Sequence, residues 1–133
     1  FETHPVVCGN NGKIYRINFP FDTSWIGAAS STTQNLNSID FSGLVGIIVG
    51  ERGTILRRED GGENWSATQS GVTNNLKKIQ FHLNLCMAIG DNVILKSTDY
   101  GLTWIIVRNE PKEFYHDLYL FQPYGIVVGA KQD

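Results

Sequence analysis

The sequence predicts an all-β chain made of four-stranded antiparallel units, and three observations carry that expectation. The first is a repeat. Gly9, Gly50, Gly90 and Gly129 lie 41, 40 and 39 residues apart, Trp25, Trp65 and Trp104 lie 40 and 39 apart, and Phe41, Phe81 and Phe121 lie 40 apart each time. Independent markers that share one period of about 40 residues point to solenoids or propellers. The second is strand content. Each repeat holds four short runs of alternating or apolar residues, separated by Gly, Asp or Asn. The third is the lack of a sustained 3.6-residue pattern longer than about two turns. Four antiparallel strands per repeat make a β-propeller blade.

The elements follow in order, with unit boundaries near 1–35, 36–75, 76–113 and 114–133. The first unit opens on the run from Val7 to Arg16. In the second the strands fall at Leu36 to Phe41, Val45 to Val49, Thr54 to Arg58 and Asn64 to Thr68. In the third they fall at Leu76 to Phe81, Cys86 to Ile89, Val93 to Lys96 and Thr103 to Val107. Lys112 to Leu120 could form a short helical turn, but Tyr119 and Phe121 fit the strand position of Phe41 and Phe81. Val128-Gly129-Ala130 is a last half copy. The whole of 1–133 therefore reads as a partial propeller of about 3.3 blades. Blades usually close into rings of at least four, which removes their edges. Three explanations stand: a piece of a ring of about six to eight blades, a ring completed by further copies or a second chain, or an open stack capped in another way. The first residue is Phe1, which also fits a processed product or a piece of something longer.

Composition narrows the function classes. The chain has 133 residues, 41% of them hydrophobic and 18% charged, which suits a folded domain and not a disordered one. Eleven basic against thirteen acidic residues give a net charge of -2, which argues against a large basic nucleic-acid footprint and leaves room only for a local patch; no nucleic-acid partner is expected. No apolar run approaches the roughly 20 residues of a membrane helix. Cys8 and Cys86 are too few for a disulfide framework, and buried free thiols are the better reading.

The strongest motif is a turn. Ser97-Thr98-Asp99-Tyr100-Gly101-Leu102-Thr103-Trp104 has the pattern Ser-x-Asp-x-Gly-x-Thr-Trp. One period earlier the window reads Arg58-Glu59-Asp60-Gly61-Gly62-Glu63-Asn64-Trp65, which keeps Asp60, Gly62 and Trp65 but has Arg58 for serine and Asn64 for threonine. In the first unit only Ser24 and Trp25 survive, with Pro20 and Asp22 at the aspartate and glycine positions. A short Asp side chain accepts backbone N–H bonds inside its own turn. Glycine permits a positive φ at no steric cost. Ser97 and Thr103 can bond across the hairpin, and Trp104 buries a large apolar area. A motif repeated in every blade is what a scaffold needs, so these residues are expected to be structural. No catalytic residue, metal site or cofactor is expected.

This turn resembles the Asp-box, also called the bacterial neuraminidase repeat. The longer stretch from Ile48 to Trp65, followed by Gln69-Ser70-Gly71 and the strand from Leu76, resembles the repeats of the photosystem II assembly and stability factor family. That resemblance implies a propeller that binds proteins and whose ring holds more blades than this. Sialidases also carry Asp-boxes, away from an active site that resembles three arginines with a Tyr–Glu pair and an acid Asp. Here Arg16 and Arg57 share one blade position with Lys96, which argues first for a solvated strand face. His4, His82 and His116 are dispersed and lack zinc-ligand spacing.

Binding surfaces remain. The turns at Glu51 and Arg52 and at Asp91 and Asn92, the loop His82-Leu83-Asn84 and the segment Asn109 to Tyr115 vary most between units. Arg52, Lys112, Phe114 and Tyr115 are the candidate interface, with Phe114 and Tyr115 alternatively packing between blades. The expected function is a non-catalytic scaffold or protein-interaction module. The expected partner is a protein or a further copy that completes the ring, with uncovered strands inviting strand addition. A carbohydrate-binding propeller and a sialidase-like fragment are the alternatives.

Overall fold

The computed structural model describes residues 5–17, 23–59, 63–121 and 124–132. His4, Pro20, Asp22, Asp60 and Gly62 lie outside them. Among the described residues there are eleven strands in three antiparallel sheets. The first holds β1 (Val6–Cys8), β2 (Ile14–Arg16) and β3 (Ile26–Ala28) in that order. The second holds β4 (Leu36–Ser42), β5 (Val45–Gly50), β6 (Ile55–Arg58) and β7 (Ser66–Thr68). The third runs β8 (Leu76–His82), β9 (Leu85–Ser97), β10 (Ile105–Phe121) and β11 (Tyr124–Lys131). These are propeller blades, and the ring is incomplete.

Two strands of the third sheet are longer than the repeat predicts. The second blade turns between its second and third strands through Glu51–Gly53, with Arg52 at φ 53. The third blade does so at Asp91 and Asn92, with Asn92 at φ 66, and β9 runs unbroken through both predicted runs. β10 belongs to two units. Ile105 to Asn109 pair with Lys96 to Val93, and Glu113 to Phe121 pair with β11. The register breaks between Asn109 and Phe114, where Lys112 takes φ 66.

Lys112 to Leu120 is strand and not a helical turn. Its burial alternates, with Leu118 and Leu120 buried and Tyr119 exposed, which is the period of a half-buried strand. The expectation for Phe121 is also corrected. Phe41 pairs with Gly46, Phe81 with Cys86 and Leu120 with Gly125, whereas Phe121 pairs with Tyr124 at the position of Ser42 and His82. Leu120 therefore stands where the two phenylalanines stand. The glycine spacing of 39 residues tracks the last unit; the phenylalanine spacing is a coincidence one residue out of register.

Blades pack face to face. Ile14, Leu36, Ile48, Leu56 and Trp65 fill the space between the first and second sheets. Ile47, Val49, Ile55, Leu76, Ile79, Cys86, Val93 and Leu95 fill the next. Ile89, Ile94, Leu118 and Leu120 lie between the third blade and the β10–β11 pair. Each fully buried aliphatic side chain contributes about 1.5–3 kcal/mol of transfer free energy. Polar groups lace the innermost strands together. Asp40 Oδ2 accepts the Phe81 N–H at 2.6 Å, and Gln80 Oε1 accepts the Leu120 N–H at 2.6 Å. Ser38 Oγ accepts the Ile79 N–H at 3.2 Å. The same side-chain-to-backbone bond thus recurs from blade to blade.

Candidate functional site

The blades present two ends. One carries the Asp-box hairpins and the hairpins that join first to second strands. The other carries the turns at Asn11, Arg52 and Asn92 and the connections from one blade to the next.

At the first end, the Ser97–Trp104 turn closes on itself. The Ser97 hydroxyl donates to Asp99 Oδ1 at 2.7 Å and accepts the Gly101 N–H at 2.9 Å. Asp99 Oδ1 accepts the Thr103 N–H at 2.9 Å, and Oδ2 accepts the Thr103 hydroxyl at 2.5 Å. Those bonds from Thr103, then the one from Ser97, hold the Asp99 carboxyl at about 2, below its usual 3.8. Gly101 sits at φ 78, and a Cβ there would lie 2.5 Å from Ile47 Cδ1 of the preceding blade. Trp104 Nε1 donates to the Gly101 carbonyl at 3.1 Å.

In the second box, of which residues 60–62 lie outside the described ones, the tryptophan has different neighbours. Trp65 is buried and packs edge-on against Phe41 at 6.1 Å. Arg58, at the serine position, is 8% exposed and lies over the Phe41 and Trp65 rings at 5.1 and 5.0 Å. Burial, then the charge of Arg16, lowers its pKa. Asn64 is exposed. Trp25, which precedes β3 as Trp65 precedes β7, is 50% exposed.

The position of Arg16 and Arg57 is a contact between blades and not a solvated face, and the matching Lys96 is half-buried. The Arg16 and Arg57 side chains are each 11% exposed. Arg16 ion-pairs with Glu63 of the next blade. Arg57 Nε donates to the Tyr100 carbonyl of the next box at 3.0 Å, and its Nη1 pairs with Glu59 at 2.7 Å. A spacing rule within one unit misses this role, because the acceptors in the next blade, Glu63 and the Tyr100 carbonyl, lie a full repeat away.

At the other end, backbone needs consume the repeated amides. Asn35 Oδ1 accepts the Asn11 N–H at 3.0 Å, and Asn75 Oδ1 accepts the Arg52 N–H at 3.1 Å. Asn74 Nδ2 donates to the Asp91 carbonyl at 2.9 Å. Arg52 and Lys112 are exposed at this end, while Phe114 and Tyr115 are half-buried. Arg108 grips Glu113 with both Nε and Nη2 at 2.7 Å, and the Tyr115 hydroxyl donates to the same carboxylate. Arg108 first, then Tyr115, holds the Glu113 carboxyl at about 2. Burial raises the Tyr115 pKa.

The two thiols are unpaired. Burial pushes Cys86 up to about 12 and raises Cys8 as well. His82 is half-buried and His116 exposed. Among the described residues no group of three or more His, Cys, Asp or Glu is placed to hold a metal ion, and no helix is long and apolar enough to cross a membrane.

Residues 17–120 match the family model described as photosynthesis system II assembly factor YCF48. The chain belongs to this family. Its fold is similar to that of a solved structure described as YCF48 bound to D1 peptide, with TM-score 0.67 and 23% identity over 80% of this chain and 37% of that one. It is similar also to YCF48 from Cyanidioschyzon merolae, with TM-score 0.66 and 16% identity over 98% of this chain and 50% of that one. The chain thus spans between about a third and a half of these YCF48 structures. No curated protein sequence matches it.

Proposed function

We propose that this chain is a non-catalytic propeller scaffold that binds a peptide segment of a partner protein, and that further blades complete its ring. The observation that carries the reading is membership of the YCF48 family over residues 17–120, joined to a shared fold with a YCF48 described as bound to D1 peptide. In this reading Ser97, Asp99, Gly101, Thr103 and Trp104 are structural, as are Asp60, Gly62, Asn64, Trp65 and Trp25. Arg52 and Lys112 form the interface together with Phe114 and Tyr115, and the units divide near 35, 75 and 113.

The chemistry of the alternatives fits less well. A Tyr–Glu pair exists in Tyr115 and Glu113, but Arg108 occupies both carboxylate oxygens. The raised Tyr115 pKa opposes its use as a nucleophile, which needs a lowered one or a free base beside it. The amides that a sugar would use are spent on the backbone.

Calorimetric titration with a synthetic D1 peptide tests the reading. Saturable binding is expected, weakened roughly tenfold by the paired changes Arg52→Glu and Lys112→Glu, a combined loss of about 1.4 kcal/mol. Absence of heat with a folded chain, or binding indifferent to both changes, refutes the reading or its interface.

A further inference from the structure

The end of the blades that carries Arg52 and Lys112 holds two backbone outliers. Asn11, Arg52 and Asn92 stand at the same turn of successive blades, all left-handed, at φ 56, 53 and 66. Asparagine tolerates that conformation because its short polar side chain bonds locally, but a long side chain has no such relief. Lys112, where the register of β10 breaks, takes φ 66 as well. Backbone strain persists only where its surroundings over-determine it, and it collects at functional sites. No side-chain contact inside the chain offsets it here. Both side chains are exposed, and neither makes a hydrogen bond or an ion pair among the described residues. Neither position is an open sheet edge: Arg52 turns between β5 and β6, and β10 lies between β9 and β11.

The charges around them are unequally matched. Asp91 pairs with Lys77 at 2.6 Å, Arg108 grips Glu113 at 2.7 Å, and Glu51 Oε1 accepts from Asn35 Nδ2 at 3.1 Å. These carboxylates have their partners. Lys13, Arg52 and Lys112 are exposed and make no ion pair among the described residues, against Glu110 as the exposed acid in the same state. This end is therefore basic on a chain whose net charge is -2. The surface is also continuous. Asn75 Oδ1 accepts the Arg52 N–H at 3.1 Å, and the Asn75 carbonyl accepts the Asp91 N–H at 2.9 Å. Asp91 in turn pairs across the sheet with Phe114, close in sequence to Lys112.

We propose that this surface selects an acidic segment of an extended peptide, with Arg52 and Lys112 each meeting a carboxylate of the partner. The strained backbone is then tolerated because it presents both cations to the ligand. An exposed ion pair is weak singly and screened by salt. Preference for the acidic segment therefore comes from several carboxylates meeting several cations, and complementary charge of this kind gives specificity more than raw affinity. The inference rests on the proposed peptide-binding reading and deepens it by naming the chemistry of the segment.

Calorimetric titration with two short Gly-Ser peptides, one carrying glutamate at alternate positions and the other glutamine, tests it, with a synthetic D1 peptide run alongside. The glutamate peptide is expected to bind, and the glutamine peptide to bind roughly tenfold more weakly, with the difference closing as salt is raised. Arg52→Asn combined with Lys112→Gly should abolish the preference for glutamate. The melting temperature should stay level or rise, because both changes relieve the left-handed backbone; a variant that merely unfolds would lower it. Equal binding of the two peptides, no binding of the glutamate peptide, or a preference that survives the double change overturns the inference. Tighter binding to phosphatidylserine vesicles than to the glutamate peptide overturns it in favour of a lipid surface. Where the D1 peptide still binds in those cases, peptide binding stands and only its acidic chemistry fails. Where the glutamate peptide binds as expected and the D1 peptide does not, the acidic preference stands and the reading drawn from D1 fails.

Discussion

Asp99 holds Thr103 at two points: Oδ1 accepts its backbone N–H at 2.9 Å and Oδ2 accepts its hydroxyl at 2.5 Å. The turn that carries Trp104 is therefore fixed by a side chain four residues upstream. Asp99→Ala should cost about 1 kcal/mol, the net effect of such bonds at a solvent-facing turn. Urea denaturation of the two proteins measures it.

The same carboxylate makes stability depend on pH. Its pKa in the fold, about 2, lies below the ordinary 3.8. The unfolded chain therefore binds the proton first as pH falls, and the bonded carboxylate stabilises the fold above pH 3.8. That contribution is lost as pH falls from about 4 toward 2. Thermal melts over this window should show a decline that is shallower in Asp99→Asn.

Two glycines separate backbone strain from crowding. Gly43 and Gly53 have φ 59 and 68, but only Gly53 has a neighbour in the way, the Val72 carbonyl oxygen at 2.0 Å from an added Cβ. Gly43→Ala should cost about 1 kcal/mol for the left-handed conformation alone. Gly53→Ala should cost several times more, because the blade connection must shift. The difference in denaturation midpoints decides whether this turn is as tightly seated as its contacts indicate.

The lacing of the inner strands predicts a cost at Asp40. Asp40→Ala leaves the Phe81 N–H without its acceptor and should destabilise by about 1–3 kcal/mol. Hydrogen exchange at Phe81 should speed up in that variant, while exchange at Leu120, held by Gln80, changes less.

What was legible in the sequence was local. The Asp-box lies within eight consecutive residues, and its hydrogen bonds span two to four positions, so its residue types carry its geometry. The four-strand unit was legible for the same reason, since each strand pairs with its neighbour through a short turn. The contacts between blades were not. Arg57 reaches Tyr100, 43 positions on, and Asp40 reaches Phe81, 41 positions on. A repeated basic residue looks the same on a solvated face as on a buried one. Only the stacking of blades shows that Arg16 and Arg57 are clamps. The misplacement of Phe121 has a similar cause: one aromatic looks like another in sequence, and only pairing with β11 fixes the register.

The most direct test of a peptide-binding scaffold is a titration of the ¹⁵N-labelled chain with a synthetic D1 peptide, followed amide by amide. The account predicts saturable shifts confined to one end of the blades, centred on Arg52 and Lys112, with the Asp99 and Thr103 amides unmoved. Shifts centred on the Asp-box end, or none at all with a folded chain, would contradict it.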